Sequence, residues 1–266
     1  MKIAIIGAGN LGSSIAKGLI TTNAITSLHL TKRNLEEIQE FEGYKNVTLT
    51  SDNILAVQKS DILIFAIQPR HFETILKQIK PFLNENHVVI STITGYSISK
   101  IETVLGAHQF IIRAMPNTAI AVGKSMTCLC SNDKGIQRIK VAEAIFNRLG
   151  NSISIPETQM QAATVVCASG IAFWMRLIRA TTQAAIQLGF DAKEAQELAM
   201  YTSEGAASLL ITNGNHPEEE IDRVTTPKGC TIEGLNEMEH KGLSSSLIQG
   251  MVASFNKINN IKKNQI

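Results

Sequence analysis

Cysteine is scarce in this chain, and its scarcity excludes two classes of protein. The 266 residues hold only Cys128, Cys130, Cys167 and Cys230, too few and wrongly spaced for a disulfide framework or a zinc site. The six histidines show no metal-ligand spacing either, so no metal is expected. A reduced, cytoplasmic setting fits this usage. Cys128 and Cys130 stand two apart in an apolar run, so on a strand they face the same side and pack as small buried hydrophobes. A strong excess of either charge is also missing. The formal net charge is +2, with basic residues scattered along the chain, which leaves no footprint for a nucleic acid; the Lys262-Lys263 pair reads as a solvated tail. The interval from Lys2 to Gly7 is too short for the apolar region of a secretory leader, so export is not expected. No run makes a convincing membrane span. The longest uncharged one, residues 158–175, contains several Gln, Thr and Ser and reads as a buried helix.

What is present begins at the N-terminus. A β-branched run from Ile3 to Ile6 enters Gly7-x-Gly9-x-x-Gly12, and an apolar periodicity of Leu11, Ile15, Leu19 and Ile20 leaves it. Strand, tight turn and helix in that order are the dinucleotide fingerprint: Gly7 for the turn, Gly9 for close approach to a pyrophosphate, Gly12 for helix against strand. The opening helical amides suit an anion. A second strand over residues 27–31 ends in Lys32-Arg33-Asn34, where NAD binders carry an acidic residue for the ribose. Positive charge there favours a 2′-phosphate, so NADP(H) is preferred, with NAD(H) possible.

Further strands are expected at residues 47–50, 61–67, 88–93, 110–112, 120–130 and 152–155. Helices alternate with them. One is capped among Ser51, Asp52 and Asn53, one carries Phe72, Ile75, Leu76 and Ile79, one has Ser99-x-x-Glu102 as a capping box, and one spans about 134–149. This alternation predicts an α/β fold: a Rossmann-like, doubly wound, mostly parallel sheet over residues 1–155. Beyond Pro156 strand signals vanish. Residues 158–188, 191–212 and 231–260 read as helices, with Asp191 and Glu194 spaced as an N-cap pair and His216 in a turn. The remainder, 156–266, is then an all-helical dimerisation and substrate domain. Its first helix is apolar nearly all round, which a small domain scarcely buries alone; a partner subunit is the simplest cover.

Chemistry follows from another absence. Residues 158–189 contain no Lys, His, Asp or Glu, so the long helix offers no proton partner for a carbonyl or alkoxide. A C=N substrate can arrive already protonated, so imine reduction is favoured. Three stretches carry a family resemblance: Gly7-x-Gly9-Asn10-x-Gly12, Arg113-x-Met115-Pro-Asn-Thr118, and Val224-Thr-Thr-Pro227-Lys-Gly229-Cys-Thr231-Ile-Glu-Gly234. Over essentially its full length the chain resembles pyrroline-5-carboxylate reductase.

The resemblance implies reduction of an imino acid to proline by NAD(P)H on a homo-oligomer, at least a dimer, joined through the C-terminal helices. It places Asn10, Leu11, Ala66, Gln68, Pro69, Asn53 and Asn117 at the cofactor. The loop of Thr226, Lys228, Gly229, Cys230 and Thr231, with Ser169, falls to the substrate, and Thr231 places its hydroxyl near the ring nitrogen. Departures cluster in the substrate part. Where the family usually has Ser-Pro-Gly-Gly-Thr-Thr, this chain has Thr226-Pro-Lys228-Gly-Cys230-Thr231, and Ser-Gly-Ser-Gly-Pro-Ala-Tyr becomes Cys167-Ala-Ser169-Gly-Ile-Ala172-Phe173. Lys228 either adds a cation for an anionic substrate or points to solvent. Thr231 is a substrate contact, an N-cap of the last helix, or both. Two alternatives stay open: a reductase for another cyclic imino acid, and a non-catalytic NADP(H)-binding regulatory paralogue.

Overall fold

The structure is a computed structural model that describes residues 1–22 and 25–263, with side chains described to residue 260; the Lys262-Lys263 side chains lie outside that range. It forms two compact units, Met1–Ser169 with the end of the last helix from Lys257, and Gly170–Asn256.

Eight strands make the sheet of the first unit: β1 (Lys2–Ile6), β2 (Ser27–Thr31), β3 (Val47–Thr50), β4 (Ile62–Phe65), β5 (Val88–Ser91), β6 (Phe110–Met115), β7 (Ser125–Ser131) and β8 (Gly150–Ser154). Their order is β3-β2-β1-β4-β5-β6-β7-β8. All pairs are parallel except β6 with β7. Alternation along β1 sends Ile3 and Ile5 into one core layer and Ala4 and Ile6 into the other, so the strand must be apolar throughout. Helix α1 (Asn10–Thr21) covers the first face with Ile15 and Leu19. Short α2 (Asn53–Gln58) and then α3 (Pro69–Ile79) and α4 (Ile98–Leu105) cover the second, inserting Phe72, Leu76, Ile101 and Leu105. Helix α5 (Ile139–Phe146) returns to the first face. Each fully buried side chain of this size contributes about 1.5–3 kcal/mol.

Local signals decide the boundaries, and some differ from expectation. Asp52 does cap α2, its Oδ1 accepting from the amides of Ile54 and Leu55. The cap of α4 is Ser97, whose hydroxyl accepts from the Lys100 amide, and not Ser99. Buried Ile98 draws the helix start two residues forward, and Glu102 is engaged elsewhere, accepting from Asn132. The strand expected over 120–130 starts only at Ser125. Before it, Thr118–Val122 forms a tight helical turn ended by Gly123 at φ 68°.

Helical structure continues through α6 (Met160–Ala163), a π-helical turn (Thr164–Ser169) and α7 (Gly170–Gln187). In the second unit α7 packs on α8 (Ala192–Asn213), which Asp191 caps through the Lys193 and Glu194 amides. Helix α9 (Pro217–Val224) was not expected: His216 is its N-cap, accepting from the Glu218 amide, and not a turn residue. The last stretch is two helices, α10 (Cys230–His240) and α11 (Leu243–Lys263), parted at Gly242 with φ 81°. Of α7 only Gly170 and Thr182 are buried within one chain, so the expected burial is not supplied by this chain's own core. By length and apolarity alone, the segment Glu157–Gln187 is also sufficient to cross a membrane.

Candidate functional site

A groove of about 950 Å³ opens where β1, β2 and β4 end. The chain leaves β1 toward β2 on one side and β4 on the other, the switch point at which open α/β sheets bind ligands. Three glycines shape it differently. A Cβ on Gly7, at φ 97°, would strike Ile67 and the Ala66 carbonyl; one on Gly12 would strike the Gly7 carbonyl; one on Gly9 would meet nothing within 4 Å. Gly7 and Gly12 are therefore internal packing requirements, and Gly9 leaves open space against the backbone. The turn is pinned by β2, because the Gly7 amide donates to the Thr31 hydroxyl at 3.1 Å and the Ala8 amide to the Thr31 carbonyl at 2.8 Å. No side chain caps α1 at Gly9, so its opening amides stay available to an anion.

The basic corner lies on the same groove. Lys32, Arg33 and Asn34 line it, as do Asn10, Asn53, Ala66 and Gln68. Leu11, Gly12, Pro69 and Asn117 do not. Pro69 instead opens α3, and Asn117 is occupied by the fold: its Nδ2 donates to the Cys167 carbonyl at 3.0 Å and its Oδ1 accepts from the Ala119 amide. Lys32 is not free, since its ammonium pairs with Glu37 at 2.8 Å. That hydrogen bond and charge hold the Glu37 carboxyl below its ordinary range. Asn34 accepts from the Glu36 amide and starts the turn Leu35–Phe41 that carries Glu37. Arg33 is exposed and enters no ion pair among the described residues.

Sequence reasoning passed over Glu37 and His71, which also line the groove. His71 sits one helical turn after Gln68, a spacing that marks the same face; its Nε2 is buried and unpartnered. Arg113, part of a motif singled out above, is buried and donates to Glu157 at 2.8 Å, and Glu157 also accepts from the Ile98 amide at 2.7 Å. Glu157 escaped notice because it lies 44 residues from its partner.

In the second unit the loop of Thr226 to Thr231 turns tightly. The Gly229 amide donates to the Thr226 carbonyl at 3.0 Å, and a Cβ on Gly229 would collide with the Thr226 hydroxyl. Gly229, not Thr231, is the N-cap of α10; Thr231 lies in the first helical turn with Cys230 before it. The helix capped in this way is α10, not the last one. Lys228 adopts φ 59°, the only non-glycine at positive φ among the described residues. Its side chain is exposed, as are Thr226 and Cys230. Ser169 is half-buried at the end of the π-helical turn in the first unit.

Comparison with known proteins places this geometry. Pyrroline-5-carboxylate reductase 2 of Dictyostelium discoideum is 41% identical across 98% of this chain and 96% of its own length. The chain belongs to the pyrroline-5-carboxylate reductase family. Residues 157–261 match the family's dimerisation domain, and residues 2–95 match the family described as NADP oxidoreductase, coenzyme F420-dependent. Pyrroline-5-carboxylate reductase 1 of the same organism is 45% identical over 96% of this chain, which spans about half (49%) of that relative's length. Among solved structures, a pyrroline-5-carboxylate reductase from Coxiella burnetii superimposes with a TM-score of 0.90 at 28% identity, covering 97% of each chain.

Proposed function

We propose that the chain reduces 1-pyrroline-5-carboxylate to L-proline with NADP(H) in preference to NAD(H), as a cytosolic homo-oligomer of at least two copies. The observation that carries this is the switch-point groove with its open Gly9, in a chain aligned nearly end to end with reductases of that name. The groove fits a dinucleotide: Gly9 and the α1 amides would hold the pyrophosphate, Lys32 and Arg33 the 2′-phosphate, and Gln68 would border the nicotinamide. When bound, the reduced nicotinamide supplies a hydride. Residues 1–155 form the cofactor domain in this reading, and 156–266 the dimerisation and substrate domain.

The substrate residues do little proton chemistry. With the imine nitrogen already protonated, hydride addition to the C=N carbon leaves a secondary amine and needs no side-chain acid. The amides around Gly229 would bind the carboxylate, as a helix N-terminus favours an anion. Thr231 would orient the ring nitrogen. NADPH oxidation followed by absorbance with pyrroline-5-carboxylate, beside its ring homologue with one more methylene, tests the reading. Turnover of the five-membered ring is expected; turnover of neither refutes it. Faster turnover of the larger ring would favour the second reading, another cyclic imino acid.

A further inference from the structure

The reaction leaves one pair of nucleophilic side chains unused. Buried Cys128 on β7 faces Cys167 on the π-helical turn, sulfur to sulfur at 3.8 Å. They are 39 residues apart, so only the fold joins them. Single π-helical turns are rare and recur at functional sites. This one is fixed at Cys167, whose carbonyl accepts from Asn117. The two thiols share one hydrogen bond, which favours a thiolate on the accepting sulfur while its neighbour holds the proton. That contact lowers Cys167, the less buried of the two, and together with burial raises Cys128. Cys130, on the same face of β7, is pushed up to about 12 by burial. Cys167 is half-buried, within reach of a small oxidant.

We propose that Cys128 and Cys167 form a redox-modification site that closes to an intrachain disulfide on exposure to hydroperoxide. The Cys167 thiolate attacks one peroxide oxygen and the O–O bond breaks. Cys167 is left as a sulfenic acid, and hydroxide departs to become water. The Cys128 sulfur then attacks Cys167 Sγ, the S–O bond breaks, and the departing hydroxide takes the Cys128 proton as a second water. Two thiols lose two electrons and one hydrogen peroxide becomes two waters. A dithiol reverses it by exchange. Closure draws the sulfurs from 3.8 Å to about 2.05 Å, displacing the turn that ends at Ser169 and carries the carbonyl held by Asn117. Turnover in the oxidised form falls severalfold, an effect that rests on the reductase reading; the crosslink itself does not.

The test treats reduced full-length protein with hydrogen peroxide, blocks remaining thiols, and maps peptides without reduction. A Cys128–Cys167 crosslink lighter by two hydrogens is expected, absent from Cys128→Ser, in which a 1,3-dione probe labels Cys167 instead. Turnover lost on oxidation returns with dithiothreitol. Exposed Cys230 serves as the internal comparator: peroxide that oxidises it while Cys128 and Cys167 stay reduced overturns the proposal. So does a link to Cys130 or between chains. A crosslink with unchanged turnover overturns the switch, whereas an inactive reduced enzyme would fault the reductase reading and leave the peptide map to decide.

Discussion

Neutralising the basic corner is the sharpest probe of cofactor choice. In the double variant Lys32→Gln with Arg33→Gln, the groove keeps its glycines and backbone amides and loses only the cations that a 2′-phosphate would meet. A charge-assisted hydrogen bond to phosphate contributes about 1.5–3 kcal/mol. Lys32 must be shared with Glu37 at 2.8 Å, and Arg33 is exposed and screened by salt, so both count near the low end. Together they amount to about 2–3 kcal/mol, or a loss of roughly 30- to 150-fold in NADPH affinity. NADH lacks the phosphate and should weaken by less than about threefold. Glu37→Gln should act oppositely: with Lys32 released and a repelling carboxylate removed, NADPH binds tighter by about two- to fivefold. Titrating the cofactor's own fluorescence at low and high salt measures both variants against the parent. Equal losses for both cofactors in the double variant, or weaker NADPH binding by Glu37→Gln, would refute the argument.

Other expectations concern the loop and the core. Lys228→Gly should stabilise the protein by about 0.5–1 kcal/mol, because a left-handed non-glycine costs about 1–2 kcal/mol and glycine's added chain entropy returns about 0.5–1. Thermal melts check this; a substrate KM raised tenfold in the same variant would show that the ammonium serves the substrate and not solvent. Thr231→Ala should lower kcat roughly ten- to a hundredfold, about 1.4–2.7 kcal/mol of transition-state stabilisation, at nearly unchanged NADPH affinity, with Thr231→Ser recovering most of it. A fully active but less stable alanine variant sinks the catalytic role. Glu157→Gln strips the counter-charge from buried Arg113 and should cost about 2 kcal/mol in urea unfolding, less than a fully buried pair because Glu157 is partly wet; an unchanged midpoint would mean the pair is dispensable.

The centre of the sheet was legible because β1, β4 and β5 are covered on both faces, and such strands must be apolar almost without interruption. Residues 62–65 and 88–91 could hardly be anything else. The glycine turn was legible for the same kind of reason, since each glycine answers a steric demand inside one short stretch. Helix α9 escaped because Pro217-Glu-Glu-Glu-Ile-Asp-Arg-Val224 has one strongly apolar position before its last residue, leaving no periodicity to see. The cap of α4 fell at Ser97 and not at the expected Ser99 because burial of Ile98, a tertiary fact, moved the helix start. Glu37, Glu157 and Cys167 owe their neighbours to folding over long separations or to a local turn whose direction no spacing rule encodes. The proposed substrate loop was readable only through family likeness: nothing in its own pattern announces that Lys228 takes a glycine's backbone conformation.

The bare flank of α7 has a thermodynamic cost that outlasts catalysis. Trp174 is 62% exposed and Met175 57% in the single chain, and in the proposed oligomer a helix left so open would gain its stability from the copy lying against it. Folding and association then become one equilibrium, governed by mass action. A melting temperature measured at one concentration describes only that concentration, and it rises as the protein is concentrated. Dilution acts like a denaturant. A cell making little of this chain would keep a larger fraction unfolded and open to proteolysis than one making much. Substitutions along α7, none of whose residues line the groove, would then show up first as lost protein and only secondarily as lost turnover.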